Sequence, residues 1–592
     1  MAQSSGDIAE TAPVAAGPSD DGAADRSTTD DCRAAAGTRR RRPGRPPPAA
    51  LDCDADGLVP AVWGDLPDFA VVSDRWRIVS ALGYPERLWD PYSGNNVLKG
   101  DRPLFGDDWF IALSAISDAT FESRRIPTPV AIPASPAPGA LDQIGEPGQT
   151  QFTENLITEF VLYKGETVFK PPDYEFRVLP VFNFTRVAVD EAGFLKVDPA
   201  APRTRSEGFV GIQGLFVDKH LRNVSERYDF DSLRIGIQPI TADFRGFLFQ
   251  DAPFGIRLFG TRDNNRWQYN LAWFRRLEKD TNSGLNDITE NALDDALRDD
   301  DVFLFNLYRQ DFPVLGFTSQ FVLVHNRNDE TGSPFVDDNG FTARPSALGV
   351  QRLRKTDVTY VGLNGDGHIG RWNLSASLYY AFGRERPAAF SNLDSDIGAG
   401  FAAAEVSRDF DWIRVRGTLL YGSGDDDPYD DRSTGFDAIF ENPLIAGADT
   451  SFWIRQAVPL IGGGRVALSQ PNGILNSMRS NKFQGQSNFT NPGIVLLGAG
   501  ADFDVTPKLR VSVNVNQLWF DDTAVLEAAR NQGGIDDAIG QDVSLSAIWR
   551  PFTSQNVIVR LAASALLPGD GYESLFGSDT PVSVLANLIL AY

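Results

Sequence analysis

The chain is poor in long apolar runs, cysteine, histidine and positive charge, and each shortage removes a class of protein. None of its apolar runs approaches the roughly 18 residues of a membrane-spanning helix, so a helical membrane protein is excluded. Cysteine is confined to Cys32 and Cys53, which leaves the remaining chain thiol-free; no disulfide framework is needed, and an oxidising compartment is suited. Histidine occurs only as His220, His325 and His368, each expected at a strand end or turn, with no cluster of metal-binding spacing around it. No enzyme is expected. A net charge of −24 disfavours nucleic acid, because the only basic run, Arg39 to Arg42, lies in a low-complexity tail and reads as solvated.

What is present is alternation. Residues 1–60, rich in Ala, Pro, Ser, Asp and Arg, cannot bury enough apolar surface to offset ordering entropy, and a disordered tail is expected. Residues 61–107, punctuated by Pro, Gly and Trp in WDPYSGNNVLKGDRPLFG, are expected to form a periplasmic segment or small plug. From 108 to 592 the apolar period is two. Trp109, Ile111 and Leu113 oppose Ser114, Asp118 and Glu122; Tyr174, Phe176, Val178, Phe182 and Phe184 oppose Glu175, Arg177, Asn183 and Thr185. The same inversion, apolar outside and polar inside, recurs in RWQYNLAWFRRLE and RWNLSASLYYAFG. The terminal stretch PVSVLANLILAY puts Val582, Val584, Ala586, Leu588, Leu590 and Tyr592 on one face, as a closing membrane strand would.

These patterns predict an all-β fold, a closed antiparallel up-and-down transmembrane β-barrel of about 18 strands, with 16 the alternative. The expected spans are 108–121, 153–165, 174–187, 207–219, 231–238, 254–260, 266–278, 300–309, 315–325, 356–364, 371–382, 399–407, 411–421, 493–503, 508–519, 541–549, 556–567 and 582–592. The least secure region is 219–265, and 422–492 has room for another hairpin or a loop returning into the lumen. Connections alternate short (RDNN, QDFPV, GDGHIG, DVTP, RPFTSQN) with long (326–355, 422–492, 520–540). With both ends periplasmic, the long loops fall outside the cell, in the outer membrane of a Gram-negative bacterium. Such a barrel must be exported, yet Met1 to Gly6 has no basic-plus-apolar signal, so the start is read as processed, engineered or misassigned.

Strict alternation turns Arg124, Arg177, Arg234, Arg257, Arg276, Arg414, Arg416, Arg510 and Arg560 inward, with Asp118, Glu122, Glu159, Glu175, Glu278 and Asp542. Guanidinium groups lining water would favour anions; the alternative is that they pair with the carboxylates and hold the wall together. Acidic runs at Asp294, Asp295 and Asp299 to Asp301, and at Asp425, Asp426, Asp427, Asp430 and Asp431, are expected in long outer loops as solvating charge, with Ca²⁺ or bridges to lipopolysaccharide phosphates as the alternative. Asp52, Asp54 and Asp56 in DCDADG have the spacing of a calcium loop, but its twelfth position is Trp63 rather than a bidentate Glu. No other cofactor is expected.

The stretch Tyr421 to Pro443 resembles the strand-to-loop segment of alginate-export-type outer-membrane porins. A small-residue, Gly and Asp run leads there to an FDPLFP-like element, matched here by Phe436, Asp437, Ile439, Phe440 and Pro443, with Ala438 where that family often has Pro. The resemblance implies passive passage of an anionic polysaccharide or a small anionic solute, by a monomer rather than a trimer. A structural or adhesive barrel with little solute flux is the competing reading. Active uptake is disfavoured, since the segment before the barrel is short for a globular plug.

Overall fold

Side-chain alternation is realised as strands β1 (Trp109–Arg125), β2 (Gly148–Lys164), β3 (Tyr174–Val189), β4 (Thr204–Asn223), β5 (Phe230–Ile237), β6 (Phe254–Arg262), β7 (Trp267–Leu277), β8 (Leu297–Arg309) and β9 (Phe317–Asn328). The second half adds β10 (Lys355–Ile369), β11 (Trp372–Arg386), β12 (Ser395–Phe410), β13 (Ile413–Gly422), β14 (Ile494–Thr506), β15 (Leu509–Trp519), β16 (Ala538–Trp549), β17 (Val557–Pro568) and β18 (Val582–Ala591). Each pairs antiparallel with the next, and β18 returns to β1 with Ile116 opposite Ala591 and Arg125 opposite Val582, closing an 18-stranded barrel. Closure leaves no sheet edge unpaired along the wall. The computed structural model describes residues 78–79, 81–129, 144–165, 171–225, 229–289, 293–346, 349–447, 478–552 and 555–592. The tail calls at Cys32, Cys53, Arg39 to Arg42 and Asp52, Asp54 and Asp56 lie outside them.

The outer wall is apolar. Phe121, Phe152, Phe176, Phe182, Leu271, Leu378, Leu419, Leu497, Leu545 and Leu588 are all exposed large hydrophobics of outward rows. The outward row from Tyr174 to Phe184, at about 3.4 Å per residue and a tilt near 40°, spans about 26 Å, which matches the about 25 Å apolar band of an outer-membrane barrel. At the short-turn end, Trp109, Trp267, Trp372, Trp412 and Trp549 stand at strand ends or in a turn, the level of an interfacial aromatic belt.

Turn chemistry follows residue type. Asp263, Asn264 and Asn265 take φ of 57°, 56° and 62° between β6 and β7, and Asp411 takes 60° between β12 and β13, conformations that Asn and Asp tolerate. GDGHIG is shorter as a turn than expected: β10 runs to Ile369, leaving Gly370 (φ 64°) and Arg371 to reverse the chain. Pro180 sits inside β3, where it lacks an N–H for the ladder; the register shifts there, with Leu179 opposite Gly214 and Pro180 opposite Ile212. Gln213 is left over, and the inward row of β4 changes parity. The acidic run at Asp299 to Asp301 is not loop, as expected, but the start of β8; Asp300 points inward and is buried, because it answers Arg276.

The chain divides into two compact units at Tyr84/Pro85, and the barrel unit begins at Pro85. Strand β1 extends past β18, so Trp109 to Ala115 would present a bare edge. Residues 98–105 and the terminal Tyr592 cover it. Leu113 N–H donates to Leu98 O (2.7 Å), Leu104 N–H to Trp109 O (2.7 Å) and Tyr592 N–H to Ala115 O (2.8 Å). Buried Asn96 donates to Leu88 O (2.9 Å) and to the Tyr592 hydroxyl (3.3 Å), and Lys99 Nζ lies 4.1 Å from the Tyr592 ring centre.

Candidate permeation pathway

The lumen has two unlike halves. Toward the long loops, many inward positions are apolar rather than polar: Val322, Val324, Val358, Tyr360, Ala381, Ala399, Phe401, Leu420, Leu496 and Leu518 are all buried. This departs from the expected polar interior because two loops enter and pack there. The β5–β6 loop contributes Ile240, Ala242, Phe247, Leu248 and Phe249; the β13–β14 loop contributes Phe436, Ala438, Ile439 and Phe489, and all share one apolar cluster with the wall. The loops pair with each other: Ile439 N–H and Phe440 N–H donate to Leu248 O (3.1 and 3.2 Å), and Gln250 N–H to Phe440 O (2.8 Å). Ring packing continues the contact, with Phe247–Phe401 at 4.9 Å and Phe401–Phe436 at 5.1 Å. The Phe436 to Pro443 element singled out in the sequence is therefore part of a lumen ribbon.

Local chemistry fixes both loops. Asp243 accepts the backbone N–H groups of Arg245, Phe247 and Leu248 (2.9, 3.1 and 3.0 Å) and the Tyr379 hydroxyl (3.0 Å). Arg298 donates to both oxygens of Glu330 (2.7 and 2.9 Å) and to Phe483 O (2.6 Å). Arg344 joins Glu330 (2.7 Å) to Glu278 (2.6 Å), Arg354 donates to Asn488 (3.0 Å), and Arg479 pairs with Asp437 (2.5 Å). Arg276 meets Asp300 (2.9 Å) and Asp251 (3.4 Å). Most of the charge in this dry half meets an opposite charge, and Asp243 is satisfied by N–H and O–H donors, as burial demands.

Toward the short turns the inward surface is polar and solvated. Arg177, Phe216, Arg234, Phe259 and Arg257, from β3, β4, β5 and β6, form an alternating stack. Arg177 and Arg234 lie 5.5 and 4.2 Å from the Phe216 ring centre, and Arg234 and Arg257 lie 5.4 and 4.8 Å from that of Phe259. Register makes the stack, since Arg177 is opposite Phe216 and Arg234 opposite Arg257. Arg177 also meets Glu159 (2.7 Å) and Glu175 (2.9 Å), and Arg234 meets Asp218 (2.8 Å). Arg257 donates to Asn270 (2.7 Å), and no carboxylate lies within ion-pair distance of it among the described residues.

The other sequence candidates distribute as follows. Arg124 is buried, 3.0 Å from Gln149 Oε1 and 3.8 Å from Glu122. Arg414 pairs with Asp409 (2.5 Å), Arg416 with Asp502 (2.7 Å) and Arg510 with Asp504 (2.7 Å), while Arg560 faces inward on β17. From β15 round to β3 the inward row is a hydrogen-bonded polar strip: Ser583 donates to Glu122 (2.5 Å), Asn587 to Asp118 (2.5 Å), Asn183 to Asn155 (2.7 Å) and Asn516 to Asp542 (3.1 Å). Sequence reasoning missed Arg245 of the inserted loop, which donates to Ser375 (2.8 Å) and faces Asp366 (3.5 Å) and Glu405 (3.7 Å).

His325 lies on the outward face beside Asp357 (3.3 Å), and His220 contacts Asn223 (2.8 Å). Of the acidic loop candidates, Asp425 is buried against Thr434 and Asp427 accepts the Tyr429 N–H (3.1 Å), so they turn apart, and Asp426 is exposed. Among the described residues, no three His, Cys, Asp or Glu side chains are grouped to hold a metal ion. Burial pushes the Asp425 carboxyl up to about 7, helped by the negative charges of Glu385 and Asp430 and opposed by hydrogen bonds from Thr434.

No protein-family model matches this chain, and no curated protein matches it. Among solved structures it is similar to the outer membrane protein OpdK of Pseudomonas aeruginosa (12% identity, TM-score 0.41, covering 82% of this chain and 99% of that one). It is also similar to P. aeruginosa OccK9, or OpdG (12%, TM-score 0.44, 81% and 98%), and to OprD of the same organism (11%, TM-score 0.43, 81% and 94%).

Proposed function

We propose that the protein is a passive outer-membrane channel for small solutes bearing negative charge. The observation that carries this reading is the union of a closed barrel, apolar outside, with a partly exposed guanidinium stack in its lumen at Arg177, Arg234 and Arg257. Inward charges that keep part of their surface exposed suit a barrel that admits water, and an apolar wall of membrane height suits one that spans lipid. Planar guanidinium faces backed by aromatic rings are positioned for carboxylate or phosphate groups, while their partial pairing with Glu159, Glu175 and Asp218 keeps retention weak enough for release.

Small solutes fit better than a polysaccharide, because the two loops occupy the long-loop half where a polymer would need width. The same loops also favour a second reading, a structural barrel with little flux. Planar-bilayer recording separates the two. Stepwise currents with a reversal potential displaced toward the anion equilibrium are expected; no stepwise current rejects the channel, and cation selectivity rejects the arginine argument.

A further inference from the structure

The outer wall has two rims, and one of them repeats a single aromatic–cation arrangement. At the short-turn rim, directly opposed cross-strand pairs join an aromatic at the start of one strand to a cation near the end of the next: Trp109 with Lys164, Tyr174 with Lys219, Trp267 with Arg309, and Trp372 with Arg408. The cations lie 5.8, 3.5, 4.7 and 5.2 Å from the respective ring centres. Lys164 and Arg309 have a carboxylate only at 3.6 Å (Asp108 and Asp263), and Lys219 and Arg408 have none within ion-pair distance among the described residues. Outward aromatics donate to carboxylates at both rims, Trp273 to Asp301 (3.0 Å) and the Tyr421 hydroxyl to Asp521 (3.2 Å) toward the long loops and the Tyr269 hydroxyl to Asp231 toward the short turns. Cations at the long-loop rim are paired only in part: Arg384 meets Asp396 (2.9 Å), while exposed Arg125 and Arg186 have no carboxylate within ion-pair distance among the described residues.

We infer that the short-turn rim is a docking surface for the headgroups of anionic glycerophospholipids. An interfacial aromatic sits at the level where ester groups give way to phosphates, so a cation held on its face reaches the phosphate layer. The repetition at four strand pairs makes a rim rather than a single contact. Charge complementarity selects the occupant, because Lys219 and Arg408, seated on their rings, keep charge that no carboxylate within ion-pair distance cancels among the described residues. The inference rests on the reading of the barrel as membrane-spanning.

The test reconstitutes the full chain in phosphatidylcholine vesicles and measures quenching of tryptophan by brominated phosphatidylglycerol and, separately, by brominated phosphatidylcholine. Wild type is expected to prefer phosphatidylglycerol severalfold, at about fivefold for each available cation. The double variant Lys219→Gln/Arg408→Gln should lose most of that preference, and Arg384→Gln at the other rim should keep it. Equal quenching in wild type, an undiminished preference in the double variant, or an equal loss in Arg384→Gln would each overturn the inference while leaving the channel reading intact. Failure to insert into vesicles at all would overturn both.

Discussion

Toward the long loops, the side chains of Arg298 and Arg344 are 0% and 2% exposed and share Glu330; toward the short turns, those of Arg177 and Arg234 keep 32% and 20% of their surface and rest one face on Phe216. All four are arginines of one barrel unit, so residue type does not set their roles. Water does. Where the loops expel it, every charge needs a partner, and where they do not, a guanidinium can remain half-committed. One barrel thus holds a charge-locked half packed by loops next to a half whose inward arginines stay partly exposed, and the boundary between them is drawn by the loops.

The sharpest way to break that contrast is to unpair the dry half. Arg298→Ala leaves the Glu330 carboxylate buried with Arg344 as its remaining cation and removes the bond to Phe483 O, which should cost about 3–5 kcal/mol of loop docking. The expected outcome is a larger single-channel conductance together with new protease cleavage within 478–493, the barrel itself staying resistant; unchanged conductance would show that this loop does not narrow the path. In the wet half, Arg234→Gln removes a cation and uncovers Asp218, so anion preference should fall by roughly tenfold, about 1.4 kcal/mol. The reversal potential reads it directly, and high salt should shrink the difference between variant and wild type.

How much of this was legible beforehand also divides along the two halves. All eighteen expected spans overlap a strand, because lipid outside and polar groups or packed loops inside impose period two whatever the loops do. Even 219–265 resolves into the end of β4 and the strands β5 and β6. The solvated arginines were visible as inward positions, but their rings were not: the Arg177–Phe216–Arg234 stack depends on register across strands and on the shift at Pro180, which alternation within one strand cannot supply. The dry half was the least legible. Val324, Tyr360, Phe401 and Leu420 face a lumen expected to be wet, and only the folded loops explain them. Phe436 to Phe440 and Ile240 to Phe249 were signals of a kind, since apolar residues in long loops need somewhere to be buried.

At the edge of the dry half, Asp425 offers a pH test of the same contrast. Its carboxyl holds a proton up to about 7 in the folded chain against an ordinary value of 3.8, so between those values the folded state binds more protons than the unfolded. Loop stability should therefore be highest below the window and fall as pH rises through it, and Asp425→Asn should remove the fall. Hydrogen exchange of the 423–434 backbone at pH 5 and pH 8 measures it; equal protection at both in the wild type would place water, not protein, around the carboxylate.

The smallest expected effect separates charge from shape in the wet half. Arg257→Lys keeps a cation but gives up the planar contact with Phe259 and the fork that donates to Asn270. If the guanidinium stack acts only through its charge, the reversal potential should not move. If flat faces matter, carboxylate-bearing solutes should lose more than chloride does, by about 0.5–1 kcal/mol, or roughly two- to fivefold in relative permeability. Because no carboxylate lies within ion-pair distance of Arg257 among the described residues, no ion pair is broken in the variant, and the difference between the two anions reports on the geometry of the stack and its bond to Asn270.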